Sequence, residues 1–391
     1  MPTRRGWLMA GGTVALVLGG RILGLVQLYS LAAAAGAAVV AALLYVRTVR
    51  VTLDGRRRVR PARVHLGADC RVELALTNRG RTRTPPLMAV EPFGDGSSAA
   101  RLRVPPLGPG QSARASYRVP TDRRGRFRLG PLRLVLEDPF SLARASVPAA
   151  PAGSVIVFPR IERLGGLPPA PGNDPHSGTV ERAGRLPGEE FYALRPYQVG
   201  DDLRRVHWPS TARTGELMIR QLELPWQHRA TVVLDVRPSV HSAASLETAV
   251  SAAASILTGS HRAGAQIRLV TTGGADSDFG SDHAHWEALL ATLAPVRLSA
   301  AADLRRTLTR LVRRGAGSAV AVVSTSALSA PEARAVARLH EAAGLVVLVS
   351  VEEDGRGAAL GVPARLPVVR VGPDRPISVS WQRWVRAGVA R

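Results

Sequence analysis

The sequence predicts a membrane-anchored multidomain protein: an N-terminal transmembrane helical hairpin, an immunoglobulin-like β-sandwich, and an α/β doubly wound domain. Three observations predict it. Two long uncharged stretches precede residue 47, apolar and polar residues alternate between turn signals up to about Pro159, and apolar strands alternate with amphipathic helices from Arg229 onward. The expected boundaries are 1–48 for the hairpin, 49–163 for a basic β-sandwich, 164–188 for a Gly/Pro linker, 189–228 for a signature segment, and 229–391 for the α/β domain.

The 391 residues are 46% hydrophobic and 21% charged, enough to bury several cores and inconsistent with a wholly disordered chain. One cysteine, Cys70, excludes an intramolecular disulfide framework and any multi-cysteine metal site. All 52 basic residues are arginine, giving a net charge of +22. Residues 1–150 carry 24 arginines against 8 acidic residues, so the excess sits beside the apolar stretches.

The first stretch runs from Trp7 to Gly20 and the second from Ile22 to Val46. As a helix the second reaches about 37 Å, more than the ~30 Å hydrocarbon core, whereas the first needs residues around Arg21 to span. A hairpin turning near Arg21 to Gln27 places Arg4 and Arg5 on the same side as Arg47, Arg50, Arg56, Arg57 and Arg58. The positive-inside rule then puts everything after residue 46 in the cytoplasm. Two other topologies stay open: a single span, and an export signal suggested by Arg4-Arg5 and by the alanines from Ala32 to Ala38.

Between the apolar stretches and Pro159, runs such as Val72–Leu76, Arg126–Leu129 and Leu132–Leu136 alternate as half-buried strands do. Turn signals at Asn78-Arg79-Gly80, Pro85-Pro86, Gly94-Asp95-Gly96 and Gly108-Pro109-Gly110 separate them. The arginines here lack the aromatic platforms or recognition helix of a nucleic-acid binder. Arg47, Arg50, Arg56, Arg57 and Arg58 are instead expected to face anionic lipid, at about 1 kcal/mol each.

After the proline-rich linker comes a dense cluster: Gly188-Glu189-Glu190-Phe191, Arg195-Pro196-Tyr197, Gly200-Asp201-Asp202-Leu203-Arg204-Arg205-Val206-His207-Trp208, Ser210-Thr211-Ala212-Arg213 and Arg220. This resembles the signature of the domain of unknown function 58 family of bacterial membrane proteins. The resemblance implies a membrane hairpin, a β domain carrying the Arg123-Arg124-Gly125 and Asp138-Pro139-Phe140 motifs, and a von Willebrand factor A-like domain. It also implies a MoxR-type AAA+ ATPase as partner, with a transglutaminase-like membrane protein a further candidate, in envelope-related or complex-maturation work.

From the residues themselves, Glu190, Phe191, Arg195, Tyr197, Asp201, Asp202, Arg204, His207, Trp208 and Arg213 suit either an internal clasp or a partner-docking surface. Guanidinium forks pair with carboxylates and stack on aromatic rings, which serves both. A hydrolase or transferase reading takes Asp201 or Asp202 with His207 as acid and base and Ser210 as nucleophile.

In the α/β region, Val232–Leu234 and Val346–Val349 suit central parallel strands. The resemblance implies a magnesium loop of the D-x-S-x-S type; here the loop reads Asp235-Val236-Arg237-Pro238-Ser239. Arg237 puts a permanent cation where the ion would sit, Ala302 precedes Asp303 where a threonine is expected, and Ser324-Thr325-Ser326 replaces T-D-G. Two readings follow: Arg237 pairs with Asp235 in place of the metal, or Asp235 caps the next helix and Arg237 is solvated. No metal or cofactor is expected. Without lysine there is no phosphate-binding loop, so the chain is not itself the ATPase. The expected function is a membrane-anchored interaction scaffold, with the enzyme and a lipid-binding surface protein as alternatives.

Overall fold

The computed structural model describes residues 1–168, 192–197, 206–222, 228–325, 327–352 and 366–389, with the backbone alone at 192–196, 219–222 and 388–389. Two compact units form, Met1–Phe158 and Pro159–Arg391.

The first unit opens with two helices, α1 (Arg4–Leu23) and α2 (Val26–Thr48), each long and apolar enough to cross a membrane. Thr3 caps α1, its hydroxyl accepting the Gly6 N–H at 3.1 Å. Gly24 ends α1 at φ 69°, in the left-handed region that a side chain disfavours, and the chain reverses at once into α2. The turn thus falls inside the expected Arg21–Gln27 window.

Ten strands follow: β1 (Leu53–Arg60), β2 (Arg63–His65), β3 (Arg71–Asn78), β4 (Leu87–Phe93), β5 (Ser98–Val104), β6 (Ser112–Arg118), β7 (Gly125–Leu129), β8 (Leu132–Glu137), β9 (Arg144–Ala150) and β10 (Gly153–Phe158). One sheet runs β1-β3-β6, and the other β2-β10-β7-β4-β8-β9, with β5 on β4. The period-two pattern does what it predicts: on β3 and β8 alternate residues are buried, and Val72, Leu74, Leu76, Leu132, Leu134 and Leu136 share one core. That core extends into the hairpin, because Ala42 and Val46 of α2 belong to it.

The N-terminus is stitched to the sandwich. The Met1 amino group donates to Arg144 O at 2.7 Å, and Thr3 donates from its N–H to Leu142 O at 2.8 Å and from its hydroxyl to Ser141 O at 2.6 Å. Gly6 lies so close to the Leu142 carbonyl that no Cβ fits. The start of α1 and the end of α2 therefore meet the same end of the sandwich.

Arg57 corrects the lipid-facing expectation. Its side chain is 9% exposed and pairs with Glu91, which is fully buried on β4 of the facing sheet. The Nε donates to Glu91 Oε1 at 2.6 Å, Nη1 to Pro151 O at 2.8 Å, and Tyr117 on β6 donates to Glu91 Oε2 at 2.7 Å. The cause is the strand pleat: Arg56 and Arg58 point to the exposed face and Arg57 to the other. Burial, and then the bond to Glu91, push the Tyr117 phenol well above its ordinary range.

In the second unit, β11 (Tyr192–Pro196) pairs antiparallel with β12 (Met218–Leu222), with α3 (Trp208–Thr214) between them. The α/β part contains β13 (Arg229–Leu234), α4 (Ala243–Arg262), β14 (Gln266–Thr271), α5 (His283–Leu293), α6 (Leu304–Arg314), β15 (Ala319–Thr325), α7 (Ala330–Ala342), β16 (Leu345–Val351), β17 (Val368–Val371) and α8 (Ile377–Val389). Its five strands are all parallel, in the order β14-β13-β15-β16-β17. Strands β15 and β16 are buried along their whole length, as their unbroken apolar runs require.

Residues 164–168, expected to begin a linker, instead lie along α4. Glu162 N–H donates to Ser255 Oγ at 2.9 Å and Leu167 N–H to Ser260 Oγ at 3.1 Å. Gly166 allows this close approach, since a Cβ there would lie 2.8 Å from the Ser260 Cα.

Candidate functional site

Strand order reverses between β13 and β15, so their C-terminal ends form the switch point at which sheets of this kind open a crevice. Asp235 stands there, immediately after β13 and 0% exposed. Its N–H donates to Val323 O at 2.9 Å, which pins the loop to the neighbouring strand.

Both Asp235 oxygens are engaged. Arg237 Nε lies 3.0 Å from Oδ1 and 3.1 Å from Oδ2, and Nη2 donates to Oδ2 at 2.7 Å. Thr272, just past β14, donates to Oδ1 at 3.2 Å, and Ser324 on β15 donates to Oδ2 at 2.7 Å. The third arm of the fork, Nη1, donates to Glu332 Oε1 on the first turn of α7. Burial alone would lower the Arg237 pKa, but the bonds and charges of Asp235 and Glu332 outweigh it and raise the value.

Arg237 thus fastens the loop after β13 to the helix that follows β15, across the crevice. The donor set does not fit a divalent ion, because a guanidinium and two hydroxyl donors fill the positions where the ion would approach Asp235. Asp235 does not cap the next helix either. Ser242 does, accepting the Ser245 N–H at 3.2 Å. Ser239 is exposed in the intervening turn, and Asp303 caps α6 by accepting the Arg306 N–H at 2.9 Å.

Sequence reasoning missed Thr272 and Glu332. Glu332 was legible only as a cap: Ser329-Ala330-Pro331-Glu332 has capping-box spacing, and its Oε2 does accept the Ser329 N–H at 2.8 Å. Nothing local ties it to a residue 95 positions away.

The signature segment contributes a second cluster. The Tyr197 N–H donates to Leu217 O at 2.8 Å and the His207 N–H to Met218 O at 2.7 Å, closing the β11–α3–β12 unit. His207 caps α3: its Nδ1 accepts the Ser210 N–H at 3.3 Å and lies 2.8 Å from Ser210 Oγ. Trp208, 68% exposed, and Arg213 both face solvent on this short helix. Arg195 stands on β11 opposite Ile219, while Glu190, Phe191, Asp201, Asp202 and Arg204 lie outside the described residues. The structure brings His207 and Ser210 together, and it also brings together Asp235 and Arg237.

Residues 193–363 match the family model described as "Protein of unknown function DUF58", a span that covers the signature from Leu194 onward and most of the α/β domain. This region belongs to that family. No curated protein matches the chain.

Among solved structures, the CARDB domain of a Pyrococcus furiosus protein in complex with di-metal ions is 13% identical, covering 28% of this chain and 85% of that one at TM-score 0.20. The Pseudomonas fluorescens alkylpurine DNA glycosylase AlkC, bound to DNA with an abasic site analog, is 15% identical over 29% of this chain and 33% of its own length, at TM-score 0.21. A Listeria innocua beta-glucosidase is 11% identical over 26% of this chain and 16% of its own, at TM-score 0.18. TM-scores near 0.2 carry no argument for this chain.

Proposed function

We propose that this DUF58 chain is a membrane-anchored interaction adaptor, held by its helical hairpin with the soluble part in the cytoplasm. Its immunoglobulin-like sandwich serves as a base, and its von Willebrand A-like domain and signature segment engage a partner protein. The observation that carries this reading is Asp235. A buried carboxylate at the sheet crevice is satisfied by Arg237, Thr272 and Ser324, leaving a surface for protein contact that requires no metal. The exposed Trp208 and Arg213 on α3 are the residue types that anchor interfaces.

Family resemblance supplies the partner proposed here, a MoxR-type AAA+ ATPase, with a transglutaminase-like membrane protein as a further candidate. Binding of the full chain, in detergent, to such an ATPase with and without ATP and magnesium tests it. Nucleotide-dependent capture that drops at least tenfold in Trp208→Ala or Arg213→Ala supports docking through the signature, since interface anchors of these types cost about 2 kcal/mol or more. Capture in no nucleotide state contradicts it.

The His207–Ser210 contact of 2.8 Å favours one second reading, a hydrolase or transferase with Asp201 or Asp202 behind His207. A fluorophosphonate probe that labels the wild type and not Ser210→Ala supports that chemistry. Absence of labelling returns His207 to helix capping alone.

A further inference from the structure

We propose that the end of the sandwich that carries the hairpin is a membrane-facing footprint, formed by Arg79, Arg81 and Arg83 on one side and Phe140 on the other. It seats on anionic lipid headgroups. The proposal rests on the membrane reading above and names which residues of the sandwich meet the lipid.

Strand register defines this end. Leu53, where β1 leaves the hairpin, pairs with Asn78, and Thr77 pairs with Ser112; on the other sheet Glu137 pairs with Arg144. The loops 79–86 and 138–143 therefore lie beside the helices, while the 94–97 turn lies at the far end of β4. Strand β1 carries Arg56 and Arg58 away from the hairpin by about 3.3 Å per residue. The arginines adjacent in sequence to the apolar helix are thus not all adjacent to the membrane.

The 79–83 loop has a fixed shape. Asn78 is 1% exposed, donating from Nδ2 to Thr82 O and Leu107 O, both at 2.9 Å, and accepting the Gly80 N–H at 2.8 Å. The Arg79 N–H donates at 2.9 Å to the carbonyl of Thr52, four residues beyond the end of α2. Arg79, Arg81 and Arg83 are exposed, and Arg79 approaches only Asp54, at 3.8 Å, among the described ion pairs.

Phe140 is displayed by a comparably built turn. Asp138 is 3% exposed, and its carboxylate accepts the N–H groups of Phe140 at 2.9 Å and Ala143 at 2.5 Å. Ser141 adopts φ 56°, and its carbonyl takes the Thr3 hydroxyl, so the turn abuts the first residues of α1. Phe140 itself is 72% exposed. A large apolar ring held open to solvent on a turn bonded to Thr3, at the start of α1, lies where aromatic side chains meet headgroups. Three arginines nearby are each worth about fivefold in the equilibrium between seated and lifted states on an anionic surface.

The test uses the full chain in nanodiscs of phosphatidylcholine with phosphatidylglycerol, and of phosphatidylcholine alone. Fluorophenylalanine at position 140 reports by ¹⁹F broadening, with the same probe at Ser97 as the far-end control. Broadening of the 140 signal by a nitroxide on the lipid headgroup, and none at 97, is expected. A thiol dye at Thr82→Cys should be shielded severalfold from iodide only with phosphatidylglycerol, and lose that shielding in the Arg79, Arg81, Arg83→Gln variant. If the chain does not co-purify with the nanodiscs, the membrane reading and the footprint both fail. If it co-purifies but a water-soluble relaxation agent alone broadens the 140 signal, the footprint alone is overturned. Protection of 140 from both agents would point to a protein cover and also overturn it.

Discussion

Glu91 is fully buried between two sheets, with Arg57 and Tyr117 both donating to its carboxylate. Glu91→Ala strands a guanidinium in the core and is expected to cost ~3 to 5 kcal/mol in urea denaturation. A loss below 1 kcal/mol would contradict the buried pair. Part of this was readable. The position of Arg57 on the opposite face from Arg56 and Arg58 follows from strand alternation, and its partner does not, because Glu91 lies 34 residues away on another sheet. In the second unit, His228 donates from Nε2 to Leu167 O at 2.9 Å, and burial holds its pKa below the ordinary value. Burial and the neighbouring His283 lower His261 in the same direction. With the folded value depressed, the unfolded chain takes the proton first. Stability is therefore full above about pH 6.5 and falls as pH drops towards the folded values. Denaturation midpoints should decrease between about pH 7 and pH 5.5 and show less decrease in His228→Gln; parallel curves would contradict this.

At the scale of elements, length and composition announced the hairpin, and periodicity announced most of the α/β elements; α4 and β16 begin and end where the apolar pattern does. The short strand β17 and helix α8 escaped notice; in β17 the three valines around Arg370, flanked by Pro367 and Gly372, carry little periodic signal. Also illegible was the union of residues 1–6 with the turn before β9, separated by about 138 positions. Contacts between distant segments leave no local pattern. Gly6→Ala tests that union, since its methyl group would collide with the Leu142 carbonyl. The variant is expected to expose the amides of Thr3 and Arg144 to hydrogen exchange at least tenfold faster, while those of β3 stay protected. Unchanged exchange at Thr3 would show that the start of α1 is not seated on the sandwich.

For the whole molecule, the family was readable because its signature is a dense run of chemically distinctive residues, whereas a partner is not encoded in any single run. The crevice was half legible. Arg237 stands two residues from Asp235, so their pairing could be considered from the loop itself; Thr272, Ser324 and Glu332 arrive from other strands and helices only once the parallel sheet is assembled. That assembly makes a guanidinium occupy the approach to the one buried carboxylate among the crevice residues described here. Titrating the full chain with Mn²⁺ and reading the free-ion signal by electron paramagnetic resonance tests metal independence most directly. The free signal should track added ion as in buffer. A saturable Mn²⁺ site that magnesium displaces and that Asp235→Asn abolishes would contradict an arginine in the place of the metal.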